Sequence, residues 1–216
     1  MNGEYDGAGA WVPERHTIPA LRSAAESCQG CDLYLHATQV VMGDGPPDAT
    51  LMLVGEQPGD KEDLAGEPFV GPAGQLLDKA LDAAGIRPGS VYRTNVVKHF
   101  RFSGTRGKQR IHQSPARWHV AACEPWLIAE LDAVRPQGVV LLGATAGAAL
   151  YGTSFRIGRT RGRLQEWPGN HPVPSPPQWV LPTTHPSAVL RSRSRTADFD
   201  ALVADLVVAR DASGRQ

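Results

Sequence analysis

Four short runs of apolar and β-branched residues divide the chain, and each is bounded by glycine, proline or polar residues. A run of this length without regular polar alternation predicts a strand that is buried on both faces, as in a parallel sheet. The four predicted strands are Thr50–Val54, Val91–Val97, Gly138–Leu142 and Trp179–Thr183.

The segments around these runs carry apolar residues at the spacing of an amphipathic helix. The predicted helices are Ile18–Ser27, Ala73–Ala84, Pro115–Val134, Ala144–Tyr151 and Ala197–Ala212. Strands that alternate with helices form parallel sheets covered on both faces. We therefore expect an α/β fold with three α/β/α layers and a central four-stranded parallel sheet, as one domain over residues 1–216 with its core at about residues 17–212.

The charges of the 216-residue chain sum to zero, but they are unevenly distributed. Residues 83–123 contain no Asp or Glu, and further arginines cluster at 156–163 and 191–195. Local basic faces on a neutral protein are typical of one-sided binding to phosphates, although a solvated basic surface is the alternative. Because the sequence has no membrane-spanning apolar run and no export pattern, we expect a cytoplasmic protein that does not bind membranes.

Polar or glycine-containing motifs lie at the ends of all four predicted strands. Gly55–Gly59 follows the first strand, Asn95 lies near the end of the second, Gly143–Thr145 follows the third and His185–Ser187 follows the fourth. Open α/β sheets bind ligands at the carboxyl ends of their strands. We therefore expect the functional site at this edge.

A basic segment, Arg106–Pro115, follows the second predicted strand and contains His112. We expect this segment to be a loop that presents His112 as a nucleophile at the ligand-binding edge. A histidine in such a loop is by itself more often a solvated surface side chain, so its interpretation depends on the other motifs.

Three cysteines are present, and two of them form a Cys-x-x-Cys pair. Cys28 and Cys31 with the distant Cys123 suggest a metal site whose fourth ligand is His99 or His119. Zinc accepts three cysteines and one histidine, whereas an iron–sulfur cluster usually takes four cysteines, so the residues alone slightly favour zinc. A redox disulfide and unligated buried cysteines are the other interpretations.

Six motifs, in order along the chain, make the sequence resemble family 4 uracil-DNA glycosylases, and most closely the UdgX branch of that superfamily. They are Cys28–Cys31, Gly55–Gly59, Pro68–Gly74, Thr94–Lys98, Ala122–Leu127 and His185–Ser187. The UdgX branch is marked by an inserted loop that reads Lys-Arg-Arg-Ile-His, and residues 108–112 here read Lys-Gln-Arg-Ile-His. The resemblance extends from Cys28 to the last predicted helix and implies a uracil-DNA glycosylase-like fold.

The resemblance also implies roles for individual residues. It implies a [4Fe–4S] cluster held by Cys28, Cys31, His99 and Cys123, with His99 in the position of a family 4 cysteine. The implied uracil-binding residues are Gln57, Asp60, Phe69 and Asn95, and the implied DNA-binding residues are Lys98, Lys108, Arg110 and Ser187.

The implied reaction is excision of uracil from a nucleotide that has been flipped out of the DNA. Phe69 would stack on the base, and the Asn95 amide would match uracil O4 and N3–H. His185 would donate a hydrogen bond to uracil O2, and Glu56 would act as general base. In the UdgX branch His112 is the nucleophile that attacks the sugar, which leaves the protein covalently attached to the abasic site.

Two other functions fit the same sequence. The first is a hydrolytic, multiple-turnover uracil-DNA glycosylase in which His112 only contacts DNA. The second is a non-catalytic, metal-stabilised DNA-binding module. The expected partner is uracil-containing DNA, including single strands, and we expect a monomer.

Overall fold

The computed structural model describes residues 5–107 and 109–214. Its strands are β1 (Leu51–Gly55), β2 (Tyr92–Asn95), β3 (Phe102–Arg106), β4 (Gln109–His112), β5 (Gly138–Leu142) and β6 (Trp179–Thr183). Its α-helices are α1 (Ile18–Ala25), α2 (Asp60–Ala65), α3 (Pro72–Ala83), α4 (Arg117–Val134), α5 (Ala144–Tyr151), α6 (Ile157–Thr160), α7 (Pro186–Arg191) and α8 (Arg195–Ser213). Within these residues, no helix combines the length and the apolar character needed to cross a membrane.

Four strands form one parallel sheet in the order β2-β1-β5-β6. The strands β1, β5 and β6 are buried along their whole length, as expected for apolar runs covered on both faces. The predicted α/β class and the central four-stranded parallel sheet are therefore confirmed.

Alternate side chains of the strands enter two separate apolar cores, one on each face of the sheet. On one face Met52, Val54 and Leu141 pack with residues of α1, α4 and α5. On the other face Leu53 and Val140 pack with residues of α3, α7 and α8. These two cores separate the three layers of the fold.

The basic segment after β2 is not the predicted loop. β3 and β4 form an antiparallel hairpin, with Phe102 opposite His112 and Arg106 opposite Gln109. We refer to these two strands as the basic hairpin. Most of its residues are exposed, so it lacks the apolar pattern from which a strand can be recognised in the sequence.

Candidate active site

A cavity of about 660 Å³ lies at the carboxyl ends of the parallel strands, where the site was expected. Seven residues predicted from the sequence line it: Glu56, Gln57, Phe69, Asn95, His112, His185 and Ser187. Other lining residues include Glu62, Ser114, Leu142, Gly143, Thr145, Ile157, Thr184 and Arg191. The fold thus brings together motifs that are up to about 130 residues apart in the sequence.

Phe69 and Asn95 approach each other over Gly55. Gly55 pairs with Asn95 across β1 and β2, and a Cβ atom on Gly55 would lie 2.4 Å from Asn95 Oδ1 and 2.8 Å from the Phe69 ring. Phe69 has a left-handed backbone with φ of 62°, which is uncommon for an aromatic residue. A Cβ atom on Gly74 would collide with the Phe69 carbonyl. Both glycines are therefore needed to place the aromatic ring beside the amide.

The Asn95 side-chain amide is available to a ligand. Asn95 is 3% exposed and lines the cavity. Its backbone carbonyl accepts a hydrogen bond from Lys98 Nζ at 2.7 Å, but its side chain has no hydrogen-bond partner among the described residues. A buried amide normally has partners, so this one is suited to reading the polar edge of a bound base.

Glu56 connects the basic hairpin to the sheet. Its Oε1 lies 3.0 Å from His112 Nε2, and its Oε2 accepts a short hydrogen bond from the Thr145 hydroxyl. Burial raises the pKa of Glu56, but the hydrogen bonds from His112 and Thr145 outweigh it, and the pKa lies below its ordinary value. The carboxylate is therefore ionised and placed to accept a proton from His112.

The hydrogen bonds of His185 determine its tautomer. The backbone N–H of Ser187 donates to His185 Nδ1 at 3.1 Å, so Nδ1 carries a lone pair and Nε2 carries the proton of the neutral ring. Burial lowers the pKa of His185 to about 4, which keeps the ring neutral. His185 thus offers one N–H donor to the cavity without a positive charge.

Gln57 lines the cavity, but its amide binds the chain on both sides of the basic hairpin. Its Nε2 donates to the carbonyls of Arg101 at 3.1 Å and Gln113 at 3.2 Å, and its Oε1 accepts from the Arg101 N–H at 3.2 Å. These bonds fasten the base of the hairpin to the loop after β1. The predicted role in binding uracil would require Gln57 to share its amide with the hairpin.

Asp60 and Arg110 bind each other and lie apart from their predicted ligands. Arg110 Nε donates to Asp60 Oδ1 at 2.5 Å, and Asp60 is not among the described residues that line the cavity. In this structure each charge is paired within the protein, so the contacts of Asp60 with uracil and of Arg110 with phosphate stay predictions that these side-chain contacts do not support. Lys108, which was also predicted to bind DNA, lies outside the described residues.

Lys98 is buried in this structure, so its predicted contact with DNA stays a prediction that the position of its side chain does not support. Its side chain is 0% exposed, and Nζ donates to Glu130 Oε2 at 2.6 Å and to Thr94 Oγ1 at 2.7 Å. Glu130 Oε1 also accepts from the Tyr92 hydroxyl at 3.1 Å. Lys98 is the centre of a buried polar network that joins β2 to α4.

Residues 42–207 match the model of the uracil DNA glycosylase superfamily. The chain belongs to the uracil-DNA glycosylase superfamily. It is 38% identical over 170 residues to a type-4 uracil-DNA glycosylase of Thermotoga maritima, and the alignment covers 78% of this chain and 81% of the relative. It is 34% identical over 182 residues to the type-4 enzyme of Pyrobaculum aerophilum, covering 84% of this chain and 89% of the relative. A type-4 uracil-DNA glycosylase of Archaeoglobus fulgidus is 36% identical over 173 residues, or 76% of this chain and 78% of the relative.

In this superfamily member, three free, buried cysteines lie close enough to influence one another electrostatically. Trp126 Nε1 donates to Cys28 Sγ at 3.3 Å, and the Lys98 backbone N–H donates to Cys123 Sγ at 3.3 Å. Burial raises the pKa of the Cys31 thiol to about 11 and that of the Cys123 thiol to about 12. Metal binding would therefore release protons from these thiols.

The two candidate histidine ligands differ in their hydrogen bonds. His119 Nδ1 accepts from the Ala116 N–H at 2.8 Å, and its Nε2 lies 2.9 Å from Asp32 Oδ1, so both ring nitrogens are occupied. His99 is 7% exposed, and its ring has no hydrogen-bond partner among the described residues. Burial lowers the pKa of His99 to about 4, which leaves a neutral ring that can bind a metal.

Within the described residues, no three His, Cys, Asp or Glu side chains are arranged to hold one metal ion. A zinc ion gathers four ligands around a single atom, whereas a four-iron cluster binds each ligand at a different iron. The ligands of a cluster are therefore more widely spaced. Zinc, which the residues alone slightly favour, and a four-iron cluster therefore both stay predictions for these cysteines.

Thr145, Glu62 and Arg191 contribute to this glycosylase-like site but were not predicted as site residues. Thr145 binds Glu56, and Glu62 accepts a hydrogen bond from the Gly71 N–H at 2.8 Å in the turn that carries Phe69. Thr145 had a signal in the sequence, because it lies in the glycine-containing motif after a predicted strand, and Arg191 lies in the arginine cluster at 191–195. Glu62 gave none, since charged residues on short helices usually face solvent.

Proposed function

We propose that this chain is a uracil-DNA glycosylase that becomes covalently attached to the abasic site through His112. The observation that carries the proposal is the pair of His112 Nε2 and Glu56 Oε1, 3.0 Å apart beside the cavity. His112 is 50% exposed at its side chain, whereas Glu56 is 18% exposed. An accessible nucleophile next to a less exposed base is the arrangement that nucleophilic catalysis requires.

The type-4 names of the relatives and the cavity support uracil as the base. A flipped uracil would stack on Phe69, and the free Asn95 amide would accept from N3–H and donate to O4. Cytosine presents the opposite hydrogen-bond pattern, so it would leave buried polar groups unpaired. Thymine would add a methyl group to the base, which the same wall of the cavity would have to exclude.

In the proposed cleavage step, the C1′–N1 bond breaks and its electron pair leaves with uracil. His185 Nε2–H would donate to uracil O2, where negative charge develops. Because the His185 ring is neutral, its N–H would stabilise this negative charge by hydrogen bonding and would not protonate the leaving group. The sugar is left with oxocarbenium character, which the Glu56 carboxylate stabilises.

In the proposed capture step, a bond forms between His112 Nε2 and C1′. The ring supplies the electron pair, Glu56 accepts the Nε2 proton, and that proton can then pass to the uracil anion. The products are free uracil and an imidazole N-glycoside that joins protein to DNA. Because such a bond hydrolyses slowly, each protein molecule would react once.

We also propose that Cys28, Cys31, His99 and Cys123 hold a [4Fe–4S] cluster. The support is the buried set of mutually interacting thiols, the unpartnered His99 ring and the fully occupied His119 ring. When bound, such a cluster would couple folding to metal binding. Iron and sulfide analysis tests this proposal, with about four irons per chain expected. His99→Ser should lose the iron and His119→Ser should keep it, and the reverse result would assign the ligand to His119.

A hydrolytic glycosylase is the second candidate, and the type-4 names of the relatives favour it. In that enzyme Glu56 would activate water, and His112 would only contact DNA. A non-catalytic DNA-binding module is a third possibility, which predicts that no uracil is released at all. We further propose that the protein acts as a monomer and accepts single strands, since a base in a single strand needs no unpairing before it is flipped.

One experiment distinguishes these candidates. A labelled uracil-containing oligonucleotide is incubated with the protein, and the products are separated on a denaturing gel, with released uracil measured in parallel. We expect a heat-stable shifted band from the wild type and free, alkali-cleavable abasic DNA from His112→Ser. The matched control is His36→Ser, at an exposed histidine outside the cavity, which should still crosslink. A crosslink that persists in His112→Ser would show that another residue is the nucleophile.

A further inference from the structure

Arg110 lies two residues before His112 and binds α2 through both ends of its guanidinium. Its Nε lies 2.5 Å from Asp60 Oδ1, and its Nη1 lies 2.7 Å from Asp63 Oδ2. Its Nη2 donates to the Asp60 carbonyl at 3.4 Å. All three nitrogens therefore have partners within the protein, and the side chain is only 15% exposed.

Asp63 makes this contact more than a surface ion pair. Its side chain is 0% exposed, and the Thr38 backbone N–H donates to both of its oxygens at 3.0 and 3.1 Å. The buried carboxylate is held from one side by the chain before β1 and from the other side by Arg110. A buried charge without a partner is strongly unfavourable. Separating Arg110 from the buried Asp63 carboxylate would therefore cost free energy, which keeps the two side chains together.

The same guanidinium packs on two aromatic rings, one of which also contacts the His112 ring. The guanidinium carbon of Arg110 lies 5.2 Å from the Phe100 ring centroid and 5.1 Å from that of Phe102. The Phe100 and His112 ring centroids are 6.1 Å apart. Alternate residues of a strand share one face, so Arg110 and His112 both face Phe100 from β4.

We propose that Arg110 is a positioning residue that clamps the basic hairpin to α2 and thereby holds His112 at Glu56. The proposal rests on the proposed function, in which His112 competes with water for the sugar. Gln57 bonds the base of the hairpin, at the carbonyls of Arg101 and Gln113, and its Nε2 also lies 3.5 Å from His112 Nδ1. Arg110 fastens β4 itself, close to the reacting ring.

The clamp predicts a change in product rather than a loss of uracil release. The residues proposed to cleave the bond lie on the sheet edge and do not contact Arg110. If the hairpin loosens, His112 spends less time at the sugar and water takes its place. A misplacement of about 1 Å can cost about 100-fold in rate, so a tenfold lower ratio of crosslink to free abasic site is about the smallest effect expected.

Arg110→Lys is the variant to test, because it keeps the positive charge and the folded state while losing the fork that binds two carboxylates. The matched control is Arg106→Gln, which removes a cation from the exposed side of the same hairpin. Both variants are assayed in single turnover for released uracil, crosslink and free abasic site. Backbone hydrogen exchange of residues 102–113 is measured on the free proteins.

In Arg110→Lys we expect faster exchange in the hairpin, uracil release within about threefold of wild type, and at least tenfold less crosslink per uracil released. Arg106→Gln should keep the wild-type exchange and product ratio. Equal product ratios in Arg110→Lys and wild type, or unchanged hairpin exchange, would overturn the clamp. So would a lower salt dependence of DNA binding in Arg110→Gln, which removes the positive charge, since that would identify a phosphate contact.

Failure of the proposed function gives a different result. If the wild type releases uracil but forms no crosslink, the covalent step is refuted while the exchange measurement still decides whether Arg110 holds the hairpin. If the wild type crosslinks and Arg110→Lys crosslinks equally well, the clamp alone is refuted.

Discussion

Glu56→Gln tests the proposed mechanism most directly. The substitution keeps the size of the side chain and a hydrogen-bonding group near both His112 and Thr145, but removes the negative charge. Because an amide cannot take up the Nε2 proton, the capture step loses its base. The sugar cation also loses its nearest carboxylate.

The geometry sets the expected magnitude. Glu56 Oε1 lies 3.0 Å from His112 Nε2, which is within reach for direct transfer of a proton. A positioned general base contributes about 10²- to 10⁴-fold, or about 3–5 kcal/mol. We therefore expect Glu56→Gln to slow crosslinking by about 10²- to 10⁴-fold.

The assay is single-turnover crosslinking with protein in excess over uracil-containing DNA, quenched in denaturant and followed on a gel. Thr145→Val provides a graded comparison, because it removes one hydrogen bond from Glu56 and should slow the reaction by about tenfold. Since the pKa of Glu56 lies below its ordinary value, the wild-type rate should not titrate through Glu56 between about pH 5 and 8. A Glu56→Gln rate within about threefold of wild type would refute the role of Glu56 as base.

Three further outcomes follow from the contacts of other residues. Asn95→Ala should lower uracil release by about 100-fold or more. It should leave urea denaturation unchanged, because the Asn95 side chain has no hydrogen-bond partner among the described residues. A large loss of stability would show that the amide has a structural role. Lys98→Met should lower the free energy of unfolding by about 3–5 kcal/mol, because it leaves the buried Glu130 carboxylate without its cation. The salt dependence of DNA binding should stay unchanged. A flatter salt dependence would show that Lys98 contacts DNA. Because burial lowers the pKa of His185 from 6.5 to about 4, the unfolded chain binds more protons than the folded protein between these pH values. The free energy of unfolding should therefore fall by up to about 3 kcal/mol as the pH drops from about 6.5 to 4, and His185→Gln should remove that part of the pH dependence in urea titrations.

The sheet could be predicted from the sequence because its strands are short apolar runs buried on both faces. The bounds of Gly138–Leu142 and Trp179–Thr183 agree with β5 and β6. The second predicted strand, Val91–Val97, is longer than β2, which ends at Asn95; beyond it the N–H of Val96 bonds the carbonyl of Gly55 at the end of β1, and the N–H of Val97 bonds that of Glu56. Val96 and Val97 are therefore buried after the end of β2, and an apolar pattern in the sequence cannot distinguish such residues from those of the strand.

The charged residues were harder to place, because their partners are distant in the sequence. Arg110 and Asp60 are 50 residues apart, and Lys98 and Glu130 are 32 residues apart. A run of basic residues without nearby acids resembles a phosphate-binding surface in the sequence. In the fold, two of these cations are neutralised by carboxylates from other elements. Sequence charge therefore overestimates the basic surface available to DNA.

The choice between capture and hydrolysis, on the proposed mechanism, is a competition between one imidazole and water for the same sugar cation. Glu56, Asn95 and His185 would serve either outcome, because they act on the bond that breaks. A nucleophile held in place can reach an effective molarity of about 10⁵–10⁸ M, which is lost when it moves away. The product would thus be decided by how firmly the basic hairpin is held, through Gln57 at its base and Arg110 on β4. A hydrolytic glycosylase and a covalent one would then differ in how firmly one exposed hairpin is held, and not in the residues that cleave the bond.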